Sequence, residues 1–220
     1  MFLQRFNLIY YTINLKNNYK SLIIQLIMNL NTIFLIGPQG SGKGTQARLL
    51  AKRLNFFYWE MGGILREVAK EDSELGKEVK KLVDNGILLE DELLLKVVES
   101  RLSHIDKNQG VIFDGIPRRL GQAEFLLNFL KNQGRKKFIT LFLDIPKETT
   151  FKRLLLRAEK EGRADDTKEK IQVRLNQYYK DTLPVLNYLK KETNFFQVDG
   201  SFTIEEVDQN VNKILGINEK

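Results

Sequence analysis

The sequence predicts an α/β fold in which a parallel β-sheet is covered by helices on both faces. Short apolar runs at Ile33–Ile36, Val111–Phe113 and 138–143 are continuous rather than alternating, the pattern of strands buried on both sides. Stretches of helical periodicity separate them, which is the order expected of a parallel sheet. A chain of 220 residues, 42% hydrophobic and 29% charged, suits one large globular domain, and excludes wholesale disorder or a multi-span membrane protein.

Residues 1–31 stand apart as an N-terminal extension. They are rich in Asn, Ile, Leu and Tyr, carry Arg5, Lys16 and Lys20 with no acid, and contain neither Gly nor Pro. Three readings stay open: an organelle presequence, although Arg and Ser are scarce; an over-extended translation with Met28 as the natural start; or a dispensable extension, poorly ordered like many exposed termini. Ser21 to Gly42 is uncharged, but Gln25, Asn29, Asn31 and Thr32 interrupt it and its second half supplies the first strand, so it is not a membrane span.

From Thr32 onward, strand and helix alternate. The first strand at Ile33–Ile36 ends at glycine and is followed by a helix from Gly42 to Leu54. Phe56–Trp59 is a second strand. Helical periodicity then occupies 64–70, 75–84 and 91–103. Val111–Phe113 is a strand ending at Asp114. Next come helix 119–132, strand 138–143, helices 147–160 and 167–190, strand 195–198 and helix 203–215. Five strands result.

Composition narrows the chemistry. With no cysteine there is no disulfide framework, thiolate zinc site or cysteine nucleophile, and one histidine, His104, excludes a mechanism needing two imidazoles. His104 reads as a helix-end residue and Trp59 as core packing. The 35 basic against 28 acidic residues give a net charge of +7, which attracts anions: nucleic acid, a membrane surface or phosphorylated small molecules. No basic run with interleaved aromatics accompanies the excess, which is a weak case for nucleic acid.

The most specific local signal is Gly37-Pro-Gln-Gly-Ser-Gly-Lys43-Gly-Thr45, directly after the first strand and opening the first helix. Gly37, Gly42 and Lys43 fit the G-x-x-x-x-G-K frame of a phosphate-binding loop. Glycines allow a tight turn in which backbone N–H groups converge on phosphate oxygens, and the helix N-terminus adds partial positive charge. Gly44 replaces the usual Ser/Thr, and Thr45 follows. Asp114, ending an apolar strand, can hold Mg²⁺ through water beside a triphosphate; in isolation it reads as a strand-end turn residue, and its pairing with the loop at Gly37–Thr45 favours the metal role.

Gly37–Ala47 resembles the adenylate kinase family, and so does Asp114-Gly-Ile-Pro-Arg118-Arg-Leu-Gly-Gln122-Ala. The glycine after the lysine is itself a mark of that family. Further matches are Gly62-Gly-Ile-Leu-Arg66, Ser73–Gly76, Gly86–Glu92, Arg163-Ala-Asp-Asp166, Arg174 with Tyr178, and Val198-Asp-Gly200. The resemblance covers roughly 32–216. It implies a P-loop three-layer α/β/α fold with a five-stranded parallel sheet, a helical monophosphate-binding insert at about 60–89 and a short lid at about 157–166. It also implies a phosphotransferase converting ATP and AMP reversibly into two ADP with Mg²⁺ and no zinc. Nucleic acid and membranes are not expected partners, and a monomer in the cytoplasm is the implied state.

The resemblance assigns roles by position. Gly40, Ser41, Gly42, Lys43, Gly44 and Thr45 would wrap the ATP phosphates, with Arg153, Arg157 and Phe202 on the ATP side. Met61, Arg66, Ile87, Leu88, Leu89, Gly115, Arg118 and Gln122 would surround AMP, Gln122 reading the adenine edge. Arg163 and Arg174 would clamp phosphates on closure, so that Lys43, Arg118, Arg157, Arg163 and Arg174 form the catalytic set. The Asp165–Asp166 pair is either an orienting group for lid arginines or an acidic helix start before Thr167.

The match departs at one place. Where the family reads Thr-Gly-Asp, this chain has Met61-Gly62-Gly63. Met61 cannot offer a hydroxyl to the acceptor base, and Gly63 removes a carboxylate. Two alternatives follow: a kinase for UMP, CMP or several monophosphates, and an inactive nucleotide-binding homologue. Gln122 argues against the first, since one amide pairs bidentately with adenine.

Overall fold

The computed structural model describes residues 32–85, 89–161 and 167–217, the side chains of 160 and 161 excepted. The extension 1–31, Ile87, Leu88, Arg163 and the Asp165–Asp166 pair lie outside the described residues. The five strands are β1 (Thr32–Ile36), β2 (Phe57–Glu60), β3 (Val111–Asp114), β4 (Phe138–Asp144) and β5 (Asn194–Asp199), in the order β2-β3-β1-β4-β5 and all parallel. The sheet is the five-stranded parallel one that the sequence predicts.

Helices α1 (Lys43–Leu54) and α9 (Ile204–Leu215) cover one face. Ile33, Leu35, Ile112 and Leu141 pack there against Leu50, Val207 and Val211. The other face carries α4 (Asp91–Leu102), α5 (Leu120–Asn132) and α8 (Val185–Glu192), where Phe34, Trp59 and Phe113 meet Val97, Leu126 and Leu189. Residues alternate between the faces along β1 while every one of them is buried, which explains why the strand is a continuous apolar run. An aromatic seam binds three strands, with Phe34 and Phe113 rings 5.2 Å apart and Trp59 and Phe113 5.5 Å apart.

The remaining helices are α2 (Met61–Val68) and α3 (Glu74–Asp84), between β2 and α4, and α6 (Lys147–Glu161) and α7 (Lys168–Gln177), after β4. Ser73 caps α3 through its side chain, and Thr167 caps α7. At α9, Thr203 and Glu206 form a reciprocal capping box.

Three boundaries differ from the sequence expectation. The second strand runs Phe57–Glu60, and the helix expected at 64–70 begins at Met61, because Gly62 and Gly63 sit inside its first turn rather than before it. The single helix expected over 167–190 is three pieces: α7, a π-helical turn at Tyr178–Thr182, and α8. Pro184 offers no N–H to continue the ladder, so the chain enters α8 afresh.

Candidate active site

A cleft opens at the C-terminal ends of the strands, where β1 and β3 lead into loops on either side of it, the position where ligands bind in open α/β sheets. It has a volume of about 290 Å³ and is bordered by Gly37, Lys43, Met61, Arg118, Gln122 and Arg174, among others.

One wall is the loop from β1 to α1. A Cβ on Gly37 would stand 2.5 Å from the Leu143 carbonyl oxygen, so only glycine fits there. Gly40 and Gly42 have φ of 82° and 90°, and Gly42 is the N-cap of α1. The turn that aims the helix start at the cleft therefore depends on backbone that side-chain-bearing residues resist. Ser41 Oγ and Gln39 Oε1 are buried there without partners among the described residues. Lys43 Nζ lies 3.3 Å from the Pro38 carbonyl oxygen, to which it donates. Thr45 lies in the first turn of α1.

The electrostatics are dominated by cations. Desolvation lowers the pKa of Lys43; Asp114 opposes this, while Arg118, Arg157 and Arg174 repel its charge and add to the depression. Arg118 is likewise lowered by desolvation, opposed by Asp114 and reinforced by Arg174. A guanidinium keeps its charge in spite of this. Lys43, Arg118, Arg157 and Arg174 outnumber the acids Asp114 and Asp181 there, an excess of positive charge that suits a polyanion.

Asp114 ends β3 and is buried. Its Oδ2 accepts a 2.9 Å hydrogen bond from the Tyr58 hydroxyl, and lies 3.1 Å from where a Cβ on Gly44 would stand. Burial, then the neighbouring Asp114 charge, push the Tyr58 phenol up, so it remains a donor. This oxygen-donor setting fits Mg²⁺: a carboxylate lies against the start of α1, with Thr45 next in the chain. No cluster of three His, Cys, Asp or Glu able to hold a metal occurs among the described residues, so the ion would depend on nucleotide phosphates and water for its other ligands.

Across the cleft, Gln122 is only 4% exposed and its amide is engaged: Oε1 accepts from the Arg118 backbone N–H at 2.8 Å, and Nε2 donates to Asp91 Oδ1 at 2.6 Å. Asp91 also accepts from Arg119 at 3.0 Å. Arg118 Nε donates to the Gly115 carbonyl oxygen at 2.7 Å, beneath a Gly115 with φ 87°. Met61 is buried at the start of α2, and the Trp59 indole N–H points at its sulfur, 3.5 Å away. Leu89 also borders the cleft.

The structure thus brings Lys43, Met61, Leu89, Gly115, Arg118, Gln122 and Arg174 to one cleft, with Arg157 close enough to repel Lys43. Arg66 lies elsewhere, on the outer side of α2, paired at 3.4 Å with Glu60. The Glu60 carboxylate lies 3.5 Å from where Gly63 would carry a Cβ, so an acidic group borders that position despite the glycine. Arg153 spends its donors on the Gly200, Ser201 and Phe202 carbonyl oxygens at 2.7, 3.0 and 3.4 Å, fixing the β5–α9 loop, and Phe202 is exposed there.

Sequence reading missed Tyr58, Asp91 and the cleft-side residues Gln177 and Asp181. Asp91 lies inside the Gly86–Glu92 match without having been given a role, and Tyr58 lies in the second strand; the packing of β2 on β3 and of α4 on α5 is what brings each to its partner.

Residues 35–194 match the family model described as adenylate kinase. The chain is 37% identical over 175 residues to the adenylate kinase of Phocaeicola vulgatus, covering 80% of this chain and 93% of that protein. It is 38% identical over 183 residues to that of a Cyanothece species, covering 83% and 94%. For Thermus thermophilus adenylate kinase the identity is 37% over 185 residues, covering 84% and 97%. The chain belongs to the adenylate kinase family. It is a nucleotide-binding P-loop phosphotransferase, and Lys43 of the loop borders one cleft together with Arg118 and Arg174. No described helix is long and apolar enough to cross a membrane.

Proposed function

We propose that this enzyme transfers the terminal phosphoryl group of Mg²⁺-bound ATP to AMP, forming two ADP reversibly, as a cytoplasmic monomer. The observation that supports this most is the shared cleft of Lys43, Arg118 and Arg174 with Gln122, which combines phosphate-binding cations with an amide suited to adenine.

The acceptor is an ionised phosphate, so its oxygen attacks the γ-phosphorus without a general base. The bond to the bridging oxygen breaks, and that oxygen leaves on ADP. What the protein must supply is alignment and charge. In this reading the loop from Gly40 to Thr45 holds the donor phosphates and Lys43 follows the transferred group. Arg118 and Arg174 offset charge on the equatorial oxygens, and Arg157 and Arg163 join them from the lid at about 157–166. When bound, Mg²⁺ neutralises charge on the donor phosphates, and Asp114 would hold it through water. Arg153 acts indirectly, by fixing the loop that places Phe202 beside the donor base. The insert at about 60–89 carries Arg66 to the acceptor phosphate, while Met61, Ile87, Leu88, Leu89 and Gly115 line the acceptor nucleoside. Closure also excludes water, which would otherwise intercept the phosphoryl group.

A coupled assay with ATP and each of AMP, UMP, CMP and GMP tests the reading. AMP should give the highest kcat/KM. A pyrimidine monophosphate in first place would reassign the acceptor, and no turnover with retained ATP binding would mark a binding protein instead.

A further inference from the structure

Tyr58 lies on β2 and reaches across to the neighbouring strand's final residue, donating its hydroxyl to Asp114 Oδ2 at 2.9 Å. Both groups press against the start of α1. From the place a Cβ would occupy on Gly44, Asp114 Oδ2 is 3.1 Å away, the Tyr58 oxygen 3.5 Å and an Arg48 nitrogen 3.8 Å. The Arg48 guanidinium also stands 6.0 Å from the centroid of the Tyr58 ring, bracing the phenol from the α1 side. The missing side chain at residue 44 is what allows this triad to sit beside the phosphate loop.

The terminal torsion of an aspartate is broad, so a carboxylate with no fixed partner samples many orientations. A single donor on Oδ2 selects one and leaves Oδ1 for the water shell of a bound ion. We propose that Tyr58 is a positioning residue for the phosphoryl-transfer site: its hydroxyl fixes the Asp114 carboxylate in the orientation that receives the hydrated Mg²⁺ of the donor nucleotide. This rests on the reading of Asp114 as the residue that faces the metal. Partners that orient a metal-facing group commonly matter about 10–100-fold, and the lower end suits a contact made through water.

The test compares wild type, Tyr58→Phe, Asp114→Asn and the double variant. Calorimetry measures ATP affinity in EDTA and in Mg²⁺, and the ratio is the gain conferred by the ion; melting temperature and the KM for AMP are followed alongside. In Tyr58→Phe the gain should fall about 10-fold, with affinity in EDTA, KM for AMP and melting temperature near wild type. Asp114→Asn should abolish the gain, and adding Tyr58→Phe to it should change nothing further. A wild-type gain in Tyr58→Phe, while Asp114→Asn loses it, would overturn the proposal and leave the hydroxyl as a strand-to-strand contact. A wild-type gain in Asp114→Asn would instead remove the underlying reading of Asp114, and the proposal with it.

Discussion

The two sides of the cleft are built differently. On the donor side the backbone sets the geometry: Gly37 fits against Leu143, Gly40 and Gly42 adopt left-handed φ, and Asp114 is held by Tyr58. On the acceptor side long side chains set it. Arg66 is paired with Glu60 on the outside of α2, and a Cβ on Gly62 or Gly63 would first meet the movable side chains of those two residues. In the proposed reading the donor side is organised before nucleotide arrives, whereas Arg66 has to leave Glu60 to reach an acceptor phosphate. Preorganised charge lowers the barrier directly, while recruited charge spends part of its binding energy on rearrangement.

The largest break should come at the centre of the donor side. Lys43→Met should lower kcat by about 10²–10³, as measured by steady-state turnover. The same variant probes stability. Burial lowers the Lys43 pKa below its ordinary 10.5, so between that lowered value and 10.5 the unfolded chain binds more protons than the folded one. Stability of the nucleotide-free enzyme should therefore rise with pH across that window, and Lys43→Met should flatten the rise in chemical denaturation.

Next is a pair of glycines. Gly37→Ala places a Cβ 2.5 Å from a backbone carbonyl that cannot give way, and should destabilise by about 1–3 kcal/mol. Gly63→Ala lies inside α2 and meets the movable Glu60 carboxylate at 3.5 Å, so it should be neutral or gain up to about 1 kcal/mol. Equal losses at both sites, read from melting curves, would erase the contrast between the two walls.

Arg66→Ala should raise the KM for AMP about 10-fold, the order of one charge-assisted contact, with kcat little changed. Its exposed ion pair contributes only about 0–1 kcal/mol to folding. Smallest is Gln122→Asn, which should narrow the preference for AMP over other monophosphates in the acceptor assay; an unchanged preference would remove Gln122 from base reading. The Asp91 and Arg118 bonds that already occupy the amide make its orientation, rather than its mere presence, the basis of that preference.

Much of this was legible in the sequence where local chemistry decides the outcome. The phosphate loop declares itself because its glycines answer to backbone geometry, and β1, β3 and β4 because both of their faces are buried. The break at Pro184 was hidden because apolar periodicity continues through Tyr178, Val185 and Leu189 on either side of it. Arg135 reads as one more basic residue, yet it is 1% exposed and its guanidinium donates to the Gln109 and Asp106 carbonyl oxygens at 2.8 and 3.1 Å, fixing the approach to β3. Tyr58 and Asp91 were silent for the same reason: their partners lie 56 and 31 residues away, and only strand and helix packing brings them together.

The most direct test is the stoichiometry of the reaction itself, followed by phosphorus NMR with ATP and AMP mixed in equal amounts with Mg²⁺. The account predicts that each ATP consumed appears as two ADP, with no inorganic phosphate and no ATP loss when AMP is left out. Phosphate released at the same rate with or without AMP would contradict it, because the cleft would then pass the phosphoryl group to water rather than to a second nucleotide.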